Sequence, residues 1–85
     1  MKFIYSAKNV YLVASAESPV TITVTRDGEN LPVSERGSDV RGDGSVVISS
    51  DRLYKLVEGT AYGTHVLEIT IDGSKGLKLY TFTFG

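Results

Sequence analysis

The last ten residues, 76–85 (GLKLYTFTFG), constrain the fold more than any other stretch of this chain. Strict alternation sets Tyr80, Phe82 and Phe84 on one face of a β-strand and Leu77, Leu79, Thr81 and Thr83 on the other. A strand that is apolar on both faces belongs between neighbours inside a sheet rather than at its edge. Because this strand ends the chain, the sheet it completes cannot close until the last residues are in place. The expectation is an all-β domain with a central C-terminal strand.

The upstream chain supplies partners for it. Residues 20–26 (VTITVTR) alternate most cleanly, with Val20, Ile22 and Val24 on one face and Thr21, Thr23 and Thr25 on the other. That pattern describes a half-buried antiparallel strand with a threonine-lined outer face. Asp27-Gly28 follows at once and signals a tight hairpin. The return strand is then expected over residues 31–35, with Pro32 assigning it to an edge. Further strands are expected over residues 3–7, 9–14, 46–48, 52–57 and 64–72, the last with His65, Leu67, Ile69 and Ile71 on one face. Residues 36–45 (RGSDVRGDGS) and 59–63 (GTAYG) read as loops, and residues 72–76 as the turn into the final strand. About eight short strands at roughly ten-residue spacing, with no helical periodicity, predict an antiparallel β-sandwich of jelly-roll type. It forms a single module over residues 1–85.

Composition limits what such a module can do. A chain of 85 residues buries only about 60–65% of its unfolded surface, so its core is small. There is no cysteine, which removes disulfide, thiolate and zinc-thiolate chemistry and leaves stability to strand packing or to docking on a neighbour. Nine basic against ten acidic residues produce no field that would gather nucleic acid. No apolar run approaches the roughly 20 residues that span a bilayer. Lys2 precedes only Phe3, Ile4 and Tyr5, too short for the apolar segment of a secretory leader. The chain is therefore read either as cytosolic or as a domain cut from a longer exported protein.

Few residues invite chemistry. His65 is the only histidine, and a general base or a metal site requires partners that its sequence neighbours do not supply. Its ordinary role on an apolar strand face is packing or hydrogen bonding. Asp39, Asp43 and Asp51 bracket the glycine-rich loop, and their spacing does not match the alternating ligands of an EF-hand. Asp39 and Asp43 are the candidates for a loop-bound calcium, against the plainer reading of solvated turn residues. Arg41-Gly42-Asp43 matches an adhesion tripeptide, but three residues coincide too easily by chance. Of the five tyrosines, Tyr62, Tyr11 and Tyr54 are the candidates for stacking on a sugar ring, Tyr62 because its loop exposes it. The competing reading makes each tyrosine a core residue whose hydroxyl reaches an edge. Basic residues do not interleave with aromatics along one strand, which argues against single-stranded nucleic acid.

Several segments in order carry a family resemblance: NVYLVA at residues 9–14, TVTRDG at 23–28, GSDV at 37–40, RLYKLV at 52–57, GTHVLEI at 63–69 and GLKLYTFTFG at the end. Together they resemble the C-terminal domain of DipZ-type thiol–disulfide exchange proteins, which are bacterial membrane proteins related to cytochrome c biogenesis factors. The same module also follows soluble redoxin or thioredoxin-like domains, and the resemblance spans nearly the whole chain. It implies a carbohydrate-binding-like jelly roll, covalently linked to a thioredoxin-like domain in an extracytoplasmic setting. The redox chemistry implied by the resemblance resides in a Cys-x-x-Cys motif of the preceding domain, so no catalytic residue and no cofactor carry over. The expected role is a non-catalytic accessory module, linked to the redox domain, that either binds a ligand, with a glycan as the candidate, or holds the redox domain against its substrates. The alternative is a structural domain that packs on the thioredoxin-like domain or forms a homodimer. An enzyme built on His65 is the reading set aside.

Overall fold

Lys8 divides two apolar alternations of opposite phase. Phe3, Tyr5 and Ala7 turn inward before it, and Val10, Leu12 and Ala14 after it. One extra residue in a strand reverses which side chains face the core. In the computed structural model, which describes residues 1–72 and 76–85, Lys8 is that residue, and a single strand, β1 (Lys2–Ala16), runs through it. The remaining strands are β2 (Val20–Arg26), β3 (Ser45–Ile48), β4 (Arg52–Asp72) and β5 (Leu77–Phe84). Among the described residues they form one antiparallel sheet in the order β3-β2-β4-β1-β5.

The expected count of about eight strands thus becomes five in one sheet. Residues 3–7 and 9–14 merge into β1, and residues 52–57 and 64–72 into β4. The two long strands pair from Lys2↔Glu68 to Ala7↔Gly63 and resume at Asn9↔Glu58, leaving Lys8 on one side and residues 59–62 on the other out of register. The expected return strand over residues 31–35 is absent. Asp27 (φ 54°) and Gly28 (φ 81°) do make the two-residue turn, closed by Arg26 N–H donating to Glu29 C=O at 2.8 Å. The pairing stops there, because Leu31 turns into the core and a 3₁₀ turn over Val33–Glu35 follows Pro32.

The C-terminal strand also departs from expectation. β5 pairs only with β1 and lies at the edge of the sheet, not its centre. Register slips at Tyr80, which falls between the pairs Val13↔Thr81 and Ala14↔Leu79. This bulge moves Tyr80 out of phase with Phe82 and Phe84, so Leu77, Leu79 and Phe82 pack on the core while Tyr80 faces out. A one-residue insertion is invisible to strict alternation, which is why the sequence pattern misplaced both faces. The expected turn over residues 72–76 falls on residues 73–75, outside the described part of the chain.

The sheet curls around one core. Inward residues of β2 (Val20, Ile22, Val24), of the first half of β4 (Tyr54, Leu56, Val57) and of its second half (Leu67, Ile69) are all buried. Each such aliphatic side chain contributes about 1.5–3 kcal/mol. Leu56 and Val57 both face inward because Leu56 sits at a further bulge, between Val10↔Val57 and Tyr11↔Lys55. Residues 36–40 cover the other side of this part of β4, with Gly37 N–H donating to Leu56 C=O at 3.0 Å. The threonines of β2 turn outward as expected.

Candidate functional site

The first half of β1 and the second half of β4 lie side by side, while β5 borders only the second half of β1. β5 ends at Phe84, and the Gly85 carbonyl accepts hydrogen bonds from Lys8 and Asn9 N–H at 2.9 and 2.8 Å. Among the described residues no strand borders this side of residues 2–6, and the curl is open at that corner. Inward aromatic side chains from two strands meet there. Phe3 packs on Phe82 (ring centroids 4.8 Å apart) and on Phe84 (6.2 Å), and Tyr5 stacks on Phe84 (6.0 Å, 19° between planes). Phe84 remains 45% exposed although it faces the core side.

Polar groups rim the same end. The left-handed turn at Asp27 aims its carboxylate at β4, where Oδ1 accepts from Val66 N–H at 2.8 Å and Oδ2 from His65 Nδ1 at 2.6 Å. The Val66 amide first, and then His65, hold the Asp27 carboxyl below the usual carboxylate range. The His65 ring lies 5.9 Å from that of Tyr5, and its Nε2 rests against Gly63, where a Cβ would come within 2.9 Å. Next to it, Arg26 donates two hydrogen bonds to Glu35, at 3.0 and 3.2 Å. The Arg26 side chain is only 10% exposed. Among the described residues the buried Tyr5 hydroxyl has no hydrogen-bond partner. Burial pushes its pKa up, and the nearby Arg26 guanidinium opposes that push without cancelling it.

The residues singled out from sequence are dispersed. Tyr54 is buried, its hydroxyl donating to Ser50 C=O at 2.7 Å and accepting from Ser49 N–H at 3.0 Å, with the Arg52 guanidinium 3.9 Å from the ring centre. Tyr62 is 73% exposed, on the out-of-register part of β4. Tyr11 is half-buried on the outer face of β1, between Lys55 and Thr83. Asp39 accepts from Arg52 at 2.8 Å and from Lys55 N–H at 2.7 Å, and the Arg52 hydrogen bond keeps its carboxyl low. Asp43 accepts from the Ser45 hydroxyl at 2.6 Å and the Ser45 amide at 3.0 Å, and these hold its pKa down as well. Among the described residues, no three acidic, histidine or cysteine side chains converge as metal ligands. Arg41-Gly42-Asp43 forms a tight turn, closed by Gly44 N–H to Arg41 C=O at 2.9 Å.

Sequence reasoning missed two features. The Asp27–His65 pair joins residues 38 apart, and no local pattern announces it. Tyr80 is 54% exposed on the outer face, with its hydroxyl 3.1 Å from Ser15 Oγ. Ser15 and Tyr11 both point outward from β1 and are four residues, about 13 Å, apart. Tyr11 and Tyr80 therefore share one face, floored by Val13 and edged by Thr81 and Thr83.

With this geometry in view, comparison with known families places the chain. Over residues 1–85 it matches the family described as the thioredoxin-like C-terminal domain, and it belongs to that family. The family's description implies linkage to a thioredoxin-like domain and an accessory role there. Comparison with curated proteins gave no match. Comparison with solved structures gave none either.

Proposed function

We propose that this chain is the non-catalytic, extracytoplasmic accessory module of a bacterial thiol–disulfide exchange protein of the DipZ type, and that it binds a glycan. The accessory reading is carried by the family match over residues 1–85, and the absence of cysteine assigns any disulfide chemistry to the linked domain. The glycan reading draws on the outer face of β1 and β5. Tyr11 and Tyr80 offer ring faces for stacking on the apolar side of a pyranose, and Thr81, Thr83 and Asn9 stand nearby to meet hydroxyls. A sheet face of this kind suits an extended oligosaccharide better than a monosaccharide.

Titrating the 85-residue chain with a panel of hexasaccharides (cello-, chito-, malto- and xylo-series), followed by tyrosine fluorescence, tests this. Saturable binding to one series is expected. Tyr80→Ala and Tyr11→Ala should each weaken it by about tenfold, equivalent to about 1.4 kcal/mol. Flat titrations across the whole panel would sink the glycan reading while leaving the accessory one standing.

A second reading rests on Leu53, which is exposed on the same face with Val13 as its strand partner. Here the face packs on the thioredoxin-like domain, or on a second copy, as a structural element. Sedimentation of the isolated chain over a range of concentrations separates the copy version, which requires a dimer that Leu53→Lys dissolves.

A further inference from the structure

The open corner of the curl is also a free sheet edge. Met1 and Ile69 exchange two hydrogen bonds, the Met1 ammonium to Ile69 C=O at 2.9 Å and Ile69 N–H to Met1 C=O at 2.7 Å. The register then continues as Phe3↔Leu67, Tyr5↔His65 and Ala7↔Gly63. In an antiparallel pair, alternate residues aim both backbone groups at one neighbour and the residues between aim theirs away. The odd residues serve β4, so Lys2, Ile4 and Ser6 direct N–H and C=O outward. Lys8, next in that series, donates outward to Gly85, where β5 ends. No described strand lies beside residues 2–6. Lys2, Ile4 and Ser6 are exposed, Ile4 to 72%.

We propose that this edge of β1 is a strand-addition site for an extended peptide with apolar side chains at alternate positions. A peptide running antiparallel to β1 would follow the line that β5 leaves at Gly85 and pair with the outward groups of Ser6, Ile4 and Lys2. Its inward side chains would extend the row Phe82–Phe84 and cover the exposed ring of Phe84 beside Phe3. Its outward ones would lie beside Ile4. Backbone pairing supplies affinity, and the alternating side chains supply selectivity. The β5 edge is a poorer template, because its bulge at Tyr80 and its Lys78 are the usual protections of an edge.

Size selects the occupant. Five residues of edge span about 17 Å. Pairing over that length falls well below the roughly 1,200 Å² of a stable protein–protein interface, so it suits a transiently held peptide rather than a permanent dimer. Lys2 and Lys8 bracket the edge and favour acidic residues at the ends of the peptide. This inference goes beyond the accessory reading, and it does not depend on glycan binding, which uses the outer face of β5 and of the second half of β1.

The test uses the 85-residue chain and an acetylated, amidated heptapeptide of alternating valine and threonine with glutamate at each end. In the free protein, the amides of Ile4 and Ser6 should exchange with solvent quickly, and those of Phe3, Tyr5 and Ala7 slowly. At saturating peptide, exchange at Ile4 and Ser6 should slow by at least about tenfold. Ile4→Pro removes only an outward N–H, which edge positions tolerate. It should weaken binding by about tenfold or more with an unchanged circular dichroism spectrum. If that variant unfolds, a peptide N-methylated at alternate amides on the unaltered chain replaces it and should bind at least tenfold more weakly. Protection arising on β3 or β5 instead, or none at Ile4 and Ser6, overturns the proposal. So does slow exchange at those amides without peptide that appears with concentration-dependent dimerisation, since a second copy would then occupy the edge.

Discussion

Glu35 and Asp39 show how single charged residues hold the loop side of the molecule. Arg26 binds Glu35 through two hydrogen bonds while largely buried, and the pairing keeps the Glu35 carboxyl below its usual range. Asp39 is held low chiefly by its hydrogen bond to Arg52. A carboxyl whose folded pKa is depressed contributes stability that is fully present above its unfolded value, near 4, and is lost as pH falls through the folded value. Urea midpoints should therefore be flat from about pH 7 to 5 and decline below about pH 4. Glu35→Ala should cost about 1.5–3 kcal/mol at pH 7, because it leaves the buried Arg26 unpaired. It should also flatten the acid limb, whereas an unchanged acid limb in this variant would contradict the assignment. None of these partnerships is written in local sequence: Arg26 and Glu35 meet only because the return strand fails after Glu29 and the chain doubles back through the 3₁₀ turn.

The elements that matter most are the interruptions within β1, β4 and β5. Strand propensity and alternation identified nearly every segment correctly, yet they divided β1 and β4 in two. A bulge and a loop look alike when only the phase of the pattern is read. Gly59 sits at the start of the irregular stretch of β4, where a Cβ would run into the Lys8 carbonyl. Its absence of a side chain is what lets the two irregular stretches lie against each other. Gly42, by contrast, has open space where a Cβ would go and no left-handed backbone to preserve. Gly59→Ala should therefore destabilise by about 2 kcal/mol or more, and Gly42→Ala should be neutral or stabilising by up to about 1 kcal/mol. Equal midpoints for the two variants in urea would disprove the close approach at Lys8. The Tyr80 bulge acts in the same way on β5, turning one aromatic of the alternating set to the outer face.

On the scale of the whole molecule, β1 binds the chain together. It pairs with β4 along one side and with β5, from the opposite end of the sequence, along the other. Leu12 lies at the crossing, opposite Tyr54 on β4 and Phe82 on β5, and is fully buried. Leu12→Ala should cost about 2–5 kcal/mol, a large part of the stability of so small a domain. Sheets built from such distant pairings fold slowly, so refolding after urea dilution is expected over milliseconds to seconds. Sub-millisecond refolding would point to a more local topology than the one described here.

What the sequence alone determined was the class of structure and the family. Period-two alternation marks strands because side chains alternate across a pleated backbone, and the segments from NVYLVA to GLKLYTFTFG carry the resemblance that the family match bears out at the level of a thioredoxin-like C-terminal domain. What only the tertiary structure decided was where the strands join and which edges stay open. Bulges at Lys8, Leu56 and Tyr80 shift phase by single residues, and whether a shift ends a strand or bends it depends on the partner across the sheet. The shift at Tyr80 likewise gathers Leu77, Leu79 and Phe82 on the inner face and leaves Tyr80 outside, so the C-terminal strand is apolar on one face and stands at an edge. The curl of β1 and β4 covers its inner face, so it needs a neighbour on one side only.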